Sequence, residues 1–316
     1  MGRAFYVEIF SMRLVLLSIG LLLFSFVSYL CGRFLVSDAP VSKTVVAVVD
    51  APSTATPEVP GAFPEQLKVA LSETFRDENG RRVLSTRSYC RTEKTGMFCG
   101  AVKPERTNVL IIGDSFGWDG VNAVTSGFPD ANLIINHQGG CPLVPDVTQV
   151  THSFEDCALV NQRRYAETEA ILPEVDYVVV SIKITTERIS GVQETLKWLD
   201  ERGADIIVFG NPPMFKGRKL PEIILAHGQL SGLNAYAAEW VVDTKMIDQI
   251  MAAYVQDLGH TYIARNDYFC PEQGGCDVLI DGIHPITMDS AHQSRAAAEA
   301  FGGYVAKTYP DLLGAP

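Results

Sequence analysis

The sequence predicts an α/β fold, a flavodoxin-like three-layer sandwich built on a five-stranded parallel sheet in the order 2-1-3-4-5. Three observations predict it. Val109-Leu110-Ile111-Ile112 is an unbroken, mostly β-branched apolar run, the pattern of a strand buried on both faces. Four further short apolar runs, 132–136, 177–182, 205–209 and 261–265, alternate with helical patterns over 155–171, 191–202, 233–257 and 289–308. Such alternation implies parallel strands joined by right-handed crossovers, with helices on both faces. Finally, Gly113-Asp114 stops the first strand, and Ser115 stands at the turn as the cap of segment 116–124. That puts a serine at the carboxyl end of a central strand, where open α/β sheets bind ligands.

In chain order, residues 1–36 form an N-terminal segment containing the uncharged run 14–31, bracketed by Arg13 and Arg33. Eighteen helical residues rise ~27 Å, close to the hydrocarbon thickness of a bilayer, so the run reads as one transmembrane helix preceding the domain. A cleaved signal peptide is the alternative; its apolar core is shorter, and no clean small-x-small site follows. Arg3 and Arg13 before the span, against Arg33 after it, favour a cytoplasmic N-terminus and an extracytoplasmic domain. Residues 37–62 are a Pro/Ala/Val-rich linker in which Pro40, Pro52, Pro57 and Pro60 forbid a long helix. The rest, 63–316, reads as one domain with an N-terminal extension over 63–108, whose first part, Phe63 to Phe75, has helical spacing.

The formal net charge of -11 argues against a nucleic-acid partner, because phosphate binding rests on clustered Lys and Arg. Apart from Cys31 in the apolar run, six cysteines fall as neighbours: Cys90/Cys99, Cys141/Cys157 and Cys270/Cys276. An even count after a membrane signal suggests disulfides in an oxidising compartment, with buried free thiols as the alternative. No Cys-x-x-Cys occurs and the histidines do not cluster, so no metal and no cofactor are expected.

Two short motifs carry chemistry. The turn at Gly113-Asp114-Ser115 presents a hydroxyl beside outward backbone N–H groups, suited to a developing oxyanion. Asp281-x-x-His284 places an acid within one turn of a histidine, so it can orient the imidazole and leave the other nitrogen for the serine. Together they resemble the SGNH/GDSL hydrolase superfamily. With Gly139-Gly140-Cys141-Pro142, the likeness is to the extracytoplasmic SGNH domains fused to bacterial membrane O-acyltransferases. It covers about residues 85–308 and departs in two places: Ser181-Ile182-Lys183 stands where the superfamily has Gly-x-Asn-Asp, and Phe116 where the fused domains often have His.

The resemblance implies an extracytoplasmic serine O-acyltransferase that acetylates cell-envelope polysaccharide. Its partners would be an acylated donor, an envelope glycan and an integral-membrane acyltransferase. Ser115 would attack, His284 would take its proton and Asp281 would orient His284; the oxyanion would bind to the Ser115 N–H and to Gly139 or Gly140, indistinguishable in sequence. Asn211, ending the fourth strand, is a candidate substrate contact or simply a strand terminator before two prolines. Lys183 is assigned no role, His292 reads as a solvated residue of the C-terminal helix, and Trp198, Phe215 and Trp240 read as packing. Two other functions use the same sequence: a membrane-anchored carbohydrate esterase, deacetylase or lipase-like esterase, and a non-catalytic glycan-binding module.

Overall fold

A computed structural model describes residues 63, 67, 69, 98–145, 157–271 and 275–314. The expected anchor, the linker, most of the extension and Cys90 lie outside them. Among the described residues no helix is long and apolar enough to cross a membrane.

The sheet forms around the run singled out in the sequence. Strand β1 (Phe98–Cys99) is followed by β2 (Asn108–Gly113), helix α1 (Gly117–Gly127), β3 (Asn132–His137), α2 (Cys157–Ile171) and β4 (Tyr177–Ser181). Then come α3 (Ile189–Asp200), β5 (Ile206–Phe209), α4 (Leu220–His227), α5 (Leu233–Ala238), α6 (Lys245–Asp257) and β6 (Thr261–Ile263). The chain closes with α7 (Arg265–Phe269), a small hairpin of β7 (Leu279–Ile280) and β8 (His284–Pro285), and α8 (Arg295–Thr308). The strand order is β1-β3-β2-β4-β5-β6. Strands β3, β2, β4, β5 and β6 are parallel, and β1 adds an antiparallel edge against β3. The five parallel strands therefore follow the expected 2-1-3-4-5 order.

Strand β2 lies between β3 and β4, and Val109 to Ile112 are fully buried. Side chains alternate across a strand, so Val109 and Ile111 join one core with α1 and α8, through Val121, Phe301 and Val305. Leu110 and Ile112 join a second core with α3 and α6, through Val192, Leu196, Met251 and Val255. Each such side chain contributes about 1.5–3 kcal/mol on burial. Phe63 and Leu67 of the extension pack into the first core.

Three helical expectations change. The segment 233–257 is two helices, because the chain between them pairs with the loop after β5: Phe215 bridges Val241, and the Val242 N–H donates to Met214 O at 2.7 Å. Helix α4, with Pro221 in its first turn, occupies what reads as loop in the sequence. Most consequentially, the C-terminal helix starts at Arg295 rather than 289. Thr287 bridges Gln293, the Phe215 N–H takes Ser290 O at 2.7 Å, and Ser294 caps the helix by accepting from the Ala297 N–H. Residues 289–293 are thereby held out as a loop.

Candidate active site

The Gly-Asp-Ser turn has its shape from sterics and one buried carboxylate. A Cβ on Gly113 would strike the Gly117 Cα and lie 2.6 Å from Ser181 O, so only glycine fits. Asp114 accepts the Phe116 N–H at 2.9 Å and the Lys183 N–H at 3.3 Å, and Arg188 approaches it at 3.7 Å. Burial raises the Asp114 carboxyl above its ordinary range, against the pull of the Phe116 N–H, the Arg188 charge and the Lys183 N–H. This carboxylate ties the end of β2 to the loop after β4. Phe116 is the cap residue of α1 and makes no side-chain capping bond. Ser115 is therefore not the helix cap expected from the sequence, and its hydroxyl points to a histidine.

That histidine is His292. Its Nε2 lies 2.7 Å from Ser115 Oγ, and its Nδ1 lies 2.6 Å from Asp289 Oδ2. The other Asp289 oxygen accepts the backbone N–H groups of Ala291 and His292, each at 2.8 Å. The turn thus fixes the carboxylate, and the carboxylate fixes the ring. Burial opposes ionisation of Asp289, but the His292 hydrogen bond and charge, with the two N–H donors, hold the carboxyl well below the usual carboxylate range. An ionised carboxylate only accepts, so Nδ1 carries the proton and Nε2 is left to accept from the serine. Phe116 packs tilted against the His292 ring at 5.2 Å. Beneath it, Phe116, Met214 and Ala291 make a small apolar cluster of their own.

The hydroxyl opens into a cavity of about 520 Å³. It is lined by Asp289 to His292, by Lys183, Thr185 and Arg188 from the segment after β4, and by Gly140. Gly140 has φ 77°, a conformation natural to glycine, and its N–H has no acceptor among the described residues.

With this geometry in place, comparison with known proteins is decisive on family. The family model described as "SGNH domain (fused to AT3 domains)" matches residues 74–307. The chain belongs to this SGNH family. No curated protein matches the sequence. Among solved structures, the chain is similar to the periplasmic domain of a lipopolysaccharide acetyltransferase from Salmonella ser. Paratyphi A. That match has a TM-score of 0.56 and 16% identity, over 76% of this chain and 98% of that one. At that identity the likeness speaks for the shared fold.

Within the SGNH domain, the sequence-predicted residues fare unevenly. Ser115 stands where expected, and of the two glycines Gly140 lines the cavity while Gly139 does not. Asp281 and His284 do not join Ser115. They belong to the β7–β8 hairpin, with Asp281 exposed at its turn at φ 55° and His284 paired with Ile280. No hydrogen bond links them among the described residues, and the His284 Nδ1 is buried without a partner. The expectation of an Asp281–His284 pair at the serine is corrected accordingly. The sequence contains Asp-x-x-His three times: Asp257-Leu258-Gly259-His260 lies at the end of α6, the hairpin takes Asp281-Gly282-Ile283-His284, and Asp289-Ser290-Ala291-His292 takes the serine. His292, read as a solvated helix residue, is therefore corrected as well.

Asn211 has a structural task at the end of β5. It is fully buried, and its side chain bonds the Ile184 backbone, accepting from its N–H at 2.9 Å and donating to its O at 2.7 Å. The Cys141–Cys157 and Cys270–Cys276 bridges are present. Cys99 is also disulfide-bonded, and its expected partner Cys90 lies outside the described residues. Sequence reasoning missed two buried arginines below the site. Arg265 donates to Ser181 Oγ at 2.8 Å, and that hydroxyl donates to Phe116 O at 2.7 Å. Arg164 is taken up below. Neither has a signal in one sequence, because a lone Arg in a helix reads as solvent-facing.

Proposed function

We propose that this domain is an extracytoplasmic serine O-acyltransferase acting on cell-envelope polysaccharide, with Ser115 as nucleophile, His292 as general base and Asp289 as the group that orients it. The observation that carries the reading is the hydrogen-bond chain from Ser115 Oγ through His292 to Asp289 at 2.7 and 2.6 Å, facing a cavity. Ser115 Oγ attacks the acyl carbonyl while its proton passes to His292 Nε2. A C–O bond forms, and the carbonyl electron pair moves onto oxygen, held by the N–H groups of Ser115 and Gly140. Collapse expels the donor's oxygen or sulfur leaving group, which takes the proton back from His292. A glycan hydroxyl then gives its proton to His292 and attacks the acyl-enzyme; the Ser115 Oγ–acyl bond breaks, Oγ takes the proton back from His292, and the acylated sugar leaves.

The disulfides support an oxidising compartment. The family's fusion to AT3 domains supports a membrane acyltransferase as donor partner, and the lipopolysaccharide acetyltransferase neighbour supports a polysaccharide acceptor. The anchor at 14–31 would hold the domain to the membrane. The test is labelling by a serine-directed fluorophosphonate together with turnover of 4-nitrophenyl acetate. Wild type and His284→Ala should label at Ser115 and turn over. Ser115→Ala should do neither, and His292→Ala should lose roughly 10³-fold or more in kcat. Release of free acetate with no transfer to added glycan would assign the site to an esterase. Loss of activity in His284→Ala with retention in His292→Ala would overturn the triad.

A further inference from the structure

Helix α2 buries polar residues where a helix on a sheet ordinarily buries apolar ones. Its buried positions are Cys157, Asn161, Arg164 and Thr168, spaced so as to share one face. Each holds a neighbour of the site. Cys157 is bonded to Cys141. Asn161 Nδ2 donates to Pro142 O at 2.7 Å and Val144 O at 3.2 Å. Thr168 Oγ1 accepts from Asn136 Nδ2 at 2.7 Å. Arg164 is fully buried and spends all five N–H groups on neutral oxygens. Its Nε donates to Asn136 Oδ1 at 2.7 Å. Its Nη1 donates to Cys141 O at 2.7 Å and, at 3.4 Å, to Asn161 Oδ1. Its Nη2 donates to Gly113 O at 2.7 Å and Asn136 O at 2.9 Å.

Among the described residues no carboxylate bonds this guanidinium. Burial lowers it to about 10, against the pull of Asp114, so it stays charged at neutral pH. Burying a charge with no ion bonded to it is costly, and packing alone would be served by an apolar side chain. What the cation does join is specific. Gly113 O lies two residues before Ser115, and Cys141 O one residue after Gly140. One rigid planar fork thus spans the ends of β2 and β3 and the turn that follows, fixing the two backbone segments that carry the N–H groups assigned to the oxyanion.

We infer that Arg164 is a positioning residue of the oxyanion site, setting the Ser115 and Gly140 N–H groups relative to each other, with Asn161 and the Cys141–Cys157 bridge holding the same turn. This rests on the acyl-enzyme reading above. Its signature is kinetic: a donor misplaced by about 1 Å weakens the transition state and leaves ground-state binding nearly intact.

The experiment compares full-length wild type, Arg164→Lys, Asn161→Ala and Tyr262→Phe. The last breaks a half-buried bond to Asp248 at the opposite edge of the sheet from β3 and is the stability control. Each is assayed for kcat and KM on 4-nitrophenyl acetate, for phosphonylation of Ser115 by a fluorophosphonate, and for thermal unfolding. Arg164→Lys should lose roughly 10–100-fold in kcat with KM within about twofold, and should phosphonylate more slowly by a similar factor. Asn161→Ala, which keeps the guanidinium, should show the same pattern at roughly 3–10-fold, and stands in if Arg164→Lys does not fold. Tyr262→Phe should lower the melting temperature and leave kcat unchanged. A folded Arg164→Lys with wild-type kcat, or, where that variant is unfolded, a wild-type kcat in Asn161→Ala, would overturn the inference. Failure of the wild type itself to phosphonylate at Ser115 would instead sink the acyl-enzyme reading.

Discussion

Gly302 is the position where one methyl group should disturb the site without touching it. Helices α1 and α8 pack so closely that a Cβ on Gly302 would overlap Ala123 O and sit 2.8 and 2.9 Å from the Ala123 carbonyl carbon and Cα. These are backbone atoms, so no side chain can rotate away; the helices must part by roughly 1 Å to restore ordinary contact. The approach is mutual, since a Cβ on Gly127 would likewise strike the Gly302 carbonyl oxygen. Helix α1 begins two residues after Ser115, and α8 begins three residues after His292. Parting them acts directly on the 2.7 Å contact between Ser115 and His292. Overpacking of this kind costs about 1–3 kcal/mol, and a 1 Å misplacement of reacting groups costs about 100-fold in rate. Gly302→Ala should therefore melt several degrees lower and, at a temperature where it is fully folded, lose roughly 10–100-fold in kcat on an acetyl ester. Gly303→Ala, one residue on, has open space around its Cβ and is the control. Wild-type melting and kcat in Gly302→Ala would refute the claim that this helix contact sets the triad distance.

The remaining expectations concern charge and redox state. In Asp289→Asn the amide can still accept the Ala291 and His292 N–H groups, so the turn should survive. Its NH₂ would face Nδ1, however, and move the imidazole proton to Nε2, where it blocks the serine. We expect kcat to fall ~10²–10³-fold, less than the ~10⁴ of a buried protease aspartate because His292 is partly exposed. The Asp289 carboxyl is depressed in the folded protein, so its stabilisation is complete above the unfolded value near 4 and fades as pH falls through the folded one. The melting difference between wild type and Asp289→Asn should thus be smaller at about pH 2 than at about pH 5; a difference as large at about pH 2 as at about pH 5 would contradict this. Reduction should slow the enzyme by freeing the turn after Gly140, and the Cys141→Ser, Cys157→Ser pair should reproduce the loss with a destabilisation of about 3 kcal/mol from a loop of this size. Equal kcat in oxidised and reduced protein would exclude a role for that bridge.

What the sequence shows of this fold follows from how local each signal is. Val109 to Ile112 declares a doubly buried strand because both faces of that strand are apolar, a property of four consecutive residues. Gly113-Asp114-Ser115 is legible for the same reason: its glycine, its internal carboxylate bond and its hydroxyl all lie within one turn. Asn211 was ambiguous because its job is set by Ile184, a residue on another strand's loop, and no spacing encodes that. Arg164 and Asn161 are worse placed still. Their burial makes α2 polar on its inner face, so periodicity reads the helix correctly and its orientation poorly.

The choice of histidine turns on a tertiary pairing that copies a local pattern. Both Asp281-x-x-His284 and Asp289-x-x-His292 satisfy the spacing that lets an acid hold an imidazole, and both precede the last helix. What separates them is where the helix starts. A pattern of apolar residues from Ala291 onward extends the helix back over His292, which would turn its ring to solvent. Only the bridge from Thr287 to Gln293, the bonds from Phe215 and Leu220 to Ser290 O and Asp289 O, and the Ser294 cap stop it. Those partners lie 69 to 75 residues earlier in the chain (Ser290 less Phe215, Asp289 less Leu220). The hairpin copy has no such support, and its aspartate is spent on a left-handed turn with φ 55°, a geometry Asp tolerates because its short polar side chain bonds locally. The loop at 289–293 is thus made by the segment after β5, which pulls the chain out of helix and leaves His292 level with the end of β2, where Ser115 waits.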